Sequence, residues 1–193
     1  MDKATVFILD GTFLGLEMAR ELRDAGYQVV VIGSRKTDIA LYAKGVVGHI
    51  LPPPQEQPEA LLQGLLELGP RHAGPRVLMG ASDGYRRWVS RYSGELSGLF
   101  CLLACPIGEM EALLDKWNQL QLAATAEISF PASAIWDENQ RLTRKIRFPA
   151  VVKPRYSQKT IGFRDRLGSK LLVVHSKHQL KAACRKISRM GFP

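Results

Sequence analysis

The sequence has no apolar run that approaches the roughly 20 residues of a membrane-spanning helix. Its first residues, Met1 to Ala4, lead directly into a strand-like segment and lack the apolar core of a secretory signal. The cysteines form no C-x-x-C pair and lie away from histidines, which argues against a zinc site or a disulfide framework. They are Cys101, Cys105 and Cys184. We therefore expect a cytoplasmic protein with reduced thiols and no membrane partner, and we assign no metal ligands.

Acidic residues are almost absent from the last part of the chain. From Arg141 onward there are 15 lysines and arginines and a single acid, Asp165, whereas the first 140 residues carry 12 basic and 17 acidic residues. A basic segment attached to a mildly acidic one indicates an anionic partner. Three interpretations are open at this point: a nucleoside triphosphate in a cleft, nucleic acid on a surface, or a solvated charged face.

The N-terminal half alternates apolar segments with helical patterns, which predicts an α/β fold with a parallel sheet and right-handed crossovers. Short apolar segments bounded by turn residues are typical of buried parallel strands. We predict strands at residues 4–9, 27–32, 46–51, 76–81 and 100–104, with helices between them.

A glycine pair follows the first predicted strand, but the dinucleotide-binding pattern G-x-G-x-x-G is absent. Gly11 and Gly15 instead fit a tight turn and close packing of a helix against the sheet. We therefore do not expect NAD or FAD at this turn.

Two lysines in separate motifs are the strongest functional signal. The first lies in Asp115-Lys116-Trp117, where Asp115 is a good first-turn acid for a helix. The second, Lys153, ends the apolar segment that begins at Phe148, and Pro154 after it cannot donate to a continuing strand ladder. A strand that ends on lysine presents a compact cation with three donors, which suits a phosphate group.

The second half of the chain predicts a smaller α+β lobe, beginning near residues 104–111, where Pro106 and Gly108 interrupt the pattern. The hydrophobic patterns in this half predict three helices and three strands. The helices are expected at 107–114, 115–126 and 176–190, and the strands at 128–136, 148–153 and 171–174.

The two lysine motifs in this order resemble the start of an ATP-grasp domain, as in carboxylate–amine ligases and carbamoyl-phosphate-synthase-like proteins. The resemblance covers nearly the whole chain and implies a Rossmann-like pre-ATP-grasp domain at 1–108, followed by an incomplete ATP-grasp lobe at 109–193. It also implies that Lys116 and Lys153 contact ATP phosphates, with Arg155 and Ser157 beside them.

The resemblance further implies an acceptor-substrate cleft at the carboxyl ends of the N-terminal strands. The residues in that position are Gly11, Thr12, Ser34, Arg35, Ser82 and Asp83. Ala81-Ser82-Asp83 resembles a family motif after the fourth strand, although Ser82 could equally cap the next helix.

Two features depart from the family pattern. The segment 156–170, where the family has a flexible glycine- and serine-rich phosphate loop, contains only two glycines but four cations. The adenine-binding strand and the acidic residues that hold Mg²⁺ in the second lobe are not found in the sequence. We therefore expect ATP as cofactor, Mg²⁺ only together with a second lobe, and no activity from this chain alone.

The implied function is that of an ATP-dependent ligase that activates a carboxylate as an acyl phosphate for attack by an amine. No catalytic base is assigned, and neither the carboxylate nor the amine is identified. The alternatives are a basic α/β protein that binds nucleic acid through residues 141–189, which charge alone supports, and a catalytically dead scaffold. A homo-oligomer is also compatible with the sequence.

Overall fold

The computed structural model describes residues 3–136, 141–156 and 160–190. The chain divides into two compact units, Met1–Met110 and Glu111–Pro193. No helix in the described part of the chain is both long enough and apolar enough to cross a membrane.

The first unit is built on a five-stranded sheet in which every neighbouring pair is parallel, as predicted. The strand order is β3-β2-β1-β4-β5. The central strand β1 pairs Thr5 with Gln28 of β2 on one side and with Arg76 of β4 on the other. The strands are β1 Thr5–Leu9, β2 Gln28–Gly33, β3 Val47–Ile50, β4 Arg76–Gly80 and β5 Cys101–Leu102.

Helices cover both faces of this sheet: α1 Phe13–Asp24, α2 Pro58–Leu68, α3 Asp83–Arg91 and α4 Ser93–Leu96, with 3₁₀ turns at Ile39–Tyr42 and Gly69–Arg71. Alternate residues of β1 enter opposite cores because side chains of a strand point to opposite faces. Phe7 and Leu9 pack in the cluster that includes Leu65 of α2 and Val89 of α3. Val6 and Ile8 pack in the cluster that includes Ala19 of α1.

The strand order places a topological switch point between β1 and β4. The chain leaves β1 toward β2 and β3 in one direction, and β4 and β5 are added on the other side. In open parallel sheets, ligands bind in the crevice outside the carboxyl ends of the strands at such a point. The loops that follow β1, β2 and β4 are therefore the expected ligand-binding positions of the first unit.

The turn after β1 explains the predicted glycine pair. Asp10 has a φ of 126°, in the region that favours glycine, and its carboxylate Oδ1 accepts a hydrogen bond of 2.9 Å from the amide of Thr12. A Cβ atom on Gly15 would lie 1.7 Å from the carbonyl oxygen of Asp10. The glycine thus permits close approach of α1 to the turn, and no dinucleotide fingerprint is needed to account for it.

The second unit contains a two-stranded antiparallel sheet covered by a helix. Strands β6 Ala150–Val152 and β7 Leu172–Val174 pair with Val151 opposite Val173. Val174 packs with Leu180 and Cys184 of helix α8, Lys177–Arg189. The other helices are α5 Ile107–Leu114, which begins in the first unit, α6 Lys116–Thr125 and α7 Thr160–Leu167.

One expectation for the second unit is wrong. Residues 128–136 form no strand in the described structure, and only an isolated bridge joins Trp136 to Leu142. Pro131 has no amide proton to donate, so this segment cannot form a continuous ladder of hydrogen bonds despite its apolar residues. The segment after Tyr156, where the family pattern has a flexible loop and this sequence departs from it, contains helix α7, in which Phe163 is fully buried.

The cysteines differ in burial, and this difference predicts their reactivity. Burial raises the pKa of the Cys184 thiol to about 11, whereas Cys101 is exposed. Because the thiolate is the reactive form, about a thousandth of Cys184 is ionised near pH 8. We expect a thiol reagent to label Cys101 in the folded protein and Cys184 only after denaturation, as read by mass spectrometry of the peptides. Equal labelling rates in the native state would contradict the buried position of Cys184.

Candidate nucleotide-phosphate site

The start of helix α6 is organised by Asp115. This residue has extended backbone angles, and its side chain accepts a 2.9 Å hydrogen bond from the amide of Trp117. The carboxylate thus caps a helix whose first amides have no partner within the helix. Asp115 itself is almost completely buried, so its charge needs a partner.

Arg155 supplies that partner from the segment that follows β6. Its Nε lies 2.8 Å from each carboxylate oxygen of Asp115, and one terminal nitrogen, Nη2, lies 2.5 Å from Oδ2. The guanidinium carbon also lies 5.5 Å from the ring centroid of Tyr156. The planar fork of arginine suits this two-oxygen contact.

The main chain joins the same two segments. The amide of Lys116 donates to the carbonyl oxygen of Arg155 at 3.1 Å, and Asp115 forms an isolated antiparallel bridge with Tyr156. The ammonium Nζ of Lys116 lies 3.5 Å from that same carbonyl oxygen. Lys153 is exposed and precedes Arg155 by two residues, directly after β6. The structure therefore brings the Lys116 segment against the segment that contains Lys153.

The contacts also show which groups are engaged. The amide of Trp117 is bonded to Asp115, and the Arg155 guanidinium is directed at Asp115 and Tyr156. Arg155, expected beside the phosphates, thus has its guanidinium on a protein carboxylate. Ser157 lies outside the described residues. The ammonium groups of Lys116 and Lys153 are the cations of these two motifs that are best suited to a phosphate ligand.

The Asp115–Arg155 pair predicts a pH-dependent contribution to stability. The hydrogen bond from Arg155 is the main cause that lowers the pKa of Asp115 below 3.8; burial acts in the opposite direction, and the Trp117 amide lowers the pKa further. Because the folded pKa is depressed, the unfolded state takes up the proton first as the pH falls. The contribution is therefore complete well above pH 4 and is lost as the pH falls through the folded pKa.

We expect Asp115→Asn to lower the free energy of unfolding at pH 7 and to differ progressively less from the unmutated protein below pH 4. Denaturant unfolding at several pH values measures this difference. Asn retains a good N-cap side chain, so the comparison isolates the charge. A difference that is the same at pH 3 and pH 7 would show that the carboxylate charge contributes nothing.

A second group of polar residues lies at the carboxyl edge of the first unit's sheet. The Asp38 carboxylate accepts hydrogen bonds from the amides of Ser34 at 2.6 Å and Arg35 at 3.1 Å. The amide of Ala40 donates to the carbonyl of Gly11, where an added Cβ would lie 2.5 Å from the Cβ of Asp38. The structure therefore joins the loops after β1 and β2, which contain four of the expected acceptor-site residues: Gly11, Thr12, Ser34 and Arg35.

Helix α3, which follows β4, contributes Tyr85 to the same edge, a residue that sequence reasoning did not single out. Burial, followed by the nearby charges of Asp10 and Asp38, raises the pKa of Tyr85 to about 12, partly offset by a hydrogen bond to Ser34. Ser82 occupies the N-cap position of α3, but its side chain makes no capping hydrogen bond. Asp83 is the exposed first residue of α3. Within the described residues, no three His, Cys, Asp or Glu side chains are grouped to hold a metal ion.

Comparison with known proteins identifies the fold. No protein-family model and no curated protein matches the sequence. Among solved structures, an L-amino acid ligase from Bacillus licheniformis is similar over 97% of this chain and 42% of its own, at 17% identity and a TM-score of 0.65. An N5-carboxyaminoimidazole ribonucleotide synthetase solved as an ADP complex is similar over 93% of this chain and 43% of its own, at 17% identity and a TM-score of 0.63.

A third structure, the N5-carboxyaminoimidazole synthetase from Staphylococcus aureus complexed with ADP, is similar over 97% of this chain and 46% of its own. Its identity is 16% and its TM-score is 0.63. The chain thus spans less than half the length of each of these three structures. Its fold is that of the N-terminal part of ATP-grasp ligases.

Proposed function

We propose that this chain is the N-terminal portion of an ATP-dependent carboxylate–amine ligase. A carboxylate oxygen attacks the γ-phosphorus of ATP, ADP leaves, and an acyl phosphate forms. The amine then attacks the acyl carbon, phosphate leaves, and a C–N bond results. The observation that carries this proposal is the junction of the two lysine segments, in which the Lys116 amide and ammonium both face the carbonyl of Arg155.

The two lysines would bind the triphosphate and balance the charge that develops during phosphoryl transfer. A helix N-terminus often binds phosphate through free amides, but here Asp115 holds the Trp117 amide. The contribution of α6 therefore comes through the Lys116 side chain. Lys153, which is exposed and directly follows β6, would supply the second cation of the site.

We assign the ligands of Mg²⁺ to residues outside the lysine motifs. Mg²⁺ prefers carboxylate oxygens, and the carboxylate in these motifs, Asp115, has both oxygens bonded to Arg155. A ligand set for Mg²⁺ would then be supplied by a second lobe, and this chain alone would bind ATP without turning it over. The acceptor site would lie at the carboxyl edge of the first unit, where Gly11, Thr12, Ser34, Arg35, Ser82 and Asp83 are found.

ATP consumption tests the proposal directly. We expect the 193-residue chain to release no ADP with any carboxylate and amine pair, and the same chain extended by its downstream coding sequence to release ADP only when both substrates are present. Coupled-enzyme detection of ADP gives the measurement. Turnover by the isolated chain would contradict the assignment of the metal to a second lobe.

The positive charge on the exposed face of helix α8 supports nucleic acid as a second candidate partner. Lys177, Lys181, Arg185 and Arg189 recur at every fourth residue and are all exposed. Like charges four residues apart destabilise a helix, by about 0.2–0.5 kcal/mol a pair. Near the end of the helix, a concavity of about 490 Å³ is lined by Ala182, Arg185, Lys186, Arg189 and Met190. A polyanion would relieve the repulsion along this face.

Salt titration separates this candidate from the ligase proposal. If all four cations contact DNA, the affinity for a random duplex should fall with a slope of about −3.6 in log K against log salt. Charge reversal at Lys181 and Arg185 should abolish binding, whereas the matched reversal of the exposed Lys36 and Lys44 should not. No binding at moderate salt would remove nucleic acid from consideration.

A further inference from the structure

We infer that Arg155 is a positioning residue that sets Lys116 for phosphate binding through Asp115 and through its own main-chain carbonyl. This inference rests on the proposed function, because it concerns how the proposed phosphate site is assembled. It assigns Arg155 no contact with the phosphates. It therefore differs from the expectation, drawn from sequence, that this arginine binds ATP directly.

The side chain of Arg155 acts on Asp115. Three contacts between 2.5 and 2.8 Å join the guanidinium to both carboxylate oxygens. Asp115 in turn bonds the amide of Trp117 in the first turn of α6. The arginine therefore fixes the helix turn on which Lys116 is carried.

The main chain of Arg155 acts on Lys116 itself. Its carbonyl oxygen accepts from the Lys116 amide at 3.1 Å and lies 3.5 Å from the ammonium Nζ. A lysine side chain has four rotatable bonds, so holding its end before a ligand arrives reduces the conformational entropy lost on binding. The same residue thus orients both the backbone and the ammonium of Lys116.

Charge gives Arg155 a further role. Asp115 is a nearly buried carboxylate directly before Lys116 in the chain. Without a guanidinium on both oxygens, this carboxylate would attract the Lys116 ammonium and would repel a phosphate nearby. Arg155 thus neutralises Asp115 through contacts to both of its carboxylate oxygens.

Substitutions of Arg155 and Asp115 distinguish a positioning role of Arg155 from direct contact with the phosphates. Arg155→Lys retains a positive charge but lacks the planar fork, so a positioning role predicts about a tenfold loss of ATP affinity, close to that of Arg155→Gln. Asp115→Asn should also weaken binding, although it removes a negative charge. If Arg155 contacts phosphate instead, Arg155→Lys should retain most of the affinity, and Asp115→Asn should free the guanidinium and strengthen binding.

A double-mutant cycle tests whether Arg155 affects ATP affinity through Lys116. We expect Arg155→Gln to have less than about a twofold effect when Lys116 is already alanine, and its full effect when Lys153 is alanine instead. ATP affinities measured by calorimetry on the whole chain provide the numbers. An additive loss on the Lys116→Ala background would overturn the inference.

Amide hydrogen exchange gives a readout that does not depend on ATP. Arg155→Lys should speed exchange at the amides of Lys116 and Trp117, whereas the Cys184 amide within α8 of the same unit should be unchanged. If the unmutated chain binds no ATP, the proposed function fails, and this measurement still decides the positioning. Unchanged exchange at Lys116 and Trp117 would overturn the inference, while faster exchange at Cys184 as well would show unfolding of the whole unit and also count against it.

Discussion

Replacing Lys153 by alanine should weaken ATP binding about tenfold or more. A hydrogen bond to a charged group contributes on the order of 1.5–3 kcal/mol, and 1.4 kcal/mol corresponds to a factor of ten in affinity. Lys153 is exposed at the end of β6, and among the described residues its side chain has no partner that would have to be given up. Lys116→Ala should have a similar effect, which equilibrium calorimetry or nucleotide fluorescence can measure.

A matched control distinguishes this site from the general positive charge of the second unit. Lys177 is also exposed and lies outside both lysine motifs, at the start of α8. It follows the end of β7 that pairs with Ala150, whereas Lys153 follows the opposite end of β6. Lys177→Ala removes the same charge and should change ATP affinity less than about twofold, since the interaction between exposed charges falls off over a Debye length of about 8–10 Å. Equal losses for Lys153→Ala and Lys177→Ala would show a diffuse electrostatic effect and would contradict the proposed site.

Gly15→Ala should be the most damaging single-methyl change in the first unit. The added Cβ would lie 1.7 Å from the Asp10 carbonyl oxygen, a backbone atom that cannot rotate away. Alanine gains about 1 kcal/mol over glycine in a helix interior, but overpacking against fixed atoms costs about 1–3 kcal/mol or more. Because the 1.7 Å contact is with a backbone atom, the upper end of that cost applies, and we expect a net loss of about 2 kcal/mol. This loss corresponds to a fall of about 10 °C in the Tm of a domain of the size of Met1–Met110.

Gly108→Ala provides the control for this change. Gly108 also lies in a helix, α5, and a Cβ built on it meets nothing within 4 Å. The substitution should therefore leave the Tm unchanged or raise it by a few degrees. Thermal unfolding followed by circular dichroism compares the two variants, and equal Tm values for them would contradict the close approach of α1 to the turn after β1.

The first unit could be predicted from the sequence because its central strands β1 and β2 are buried on both faces. Short apolar runs such as residues 27–32, ended by glycine and polar residues, have few alternatives to a parallel strand. The glycine at position 15 likewise has a local cause, the close approach of a helix to a turn. Local patterns of this kind were sufficient to predict the parallel sheet and its crossovers.

The second unit depends more on contacts between distant residues. The pairing of Asp115 with Arg155 joins positions 40 residues apart, and nothing in the local pattern of either motif indicates it. Residues 128–136 have strand-like composition but no neighbouring strand to pair with in the described structure. The segment after Tyr156 departs from the glycine-rich family pattern, and this departure was the available sign that a helix could form there.

Tyr85 shows a different limit of sequence reasoning. An aromatic residue near the start of a helix is usually a core residue, and Tyr85 is indeed buried in the cluster with Trp88 and Val89. Its proximity to the carboxylates of Asp10 and Asp38 follows from the strand order, which places the loops after β1, β2 and β4 at one edge. The residues of this edge can be read from the sequence, but their proximity to one another cannot.

The most direct test of the central claim is an NMR titration of the chain with ATP that observes the side-chain resonances of Lys116 and Lys153 together. If the two lysines form one phosphate site, both sets of resonances should shift along a single saturation curve, with one ATP bound per chain, while those of Lys177 at the start of α8 stay in place. Shifts of only one of the two lysines, different midpoints for them, or equal shifts at Lys177 would contradict a shared site for the triphosphate.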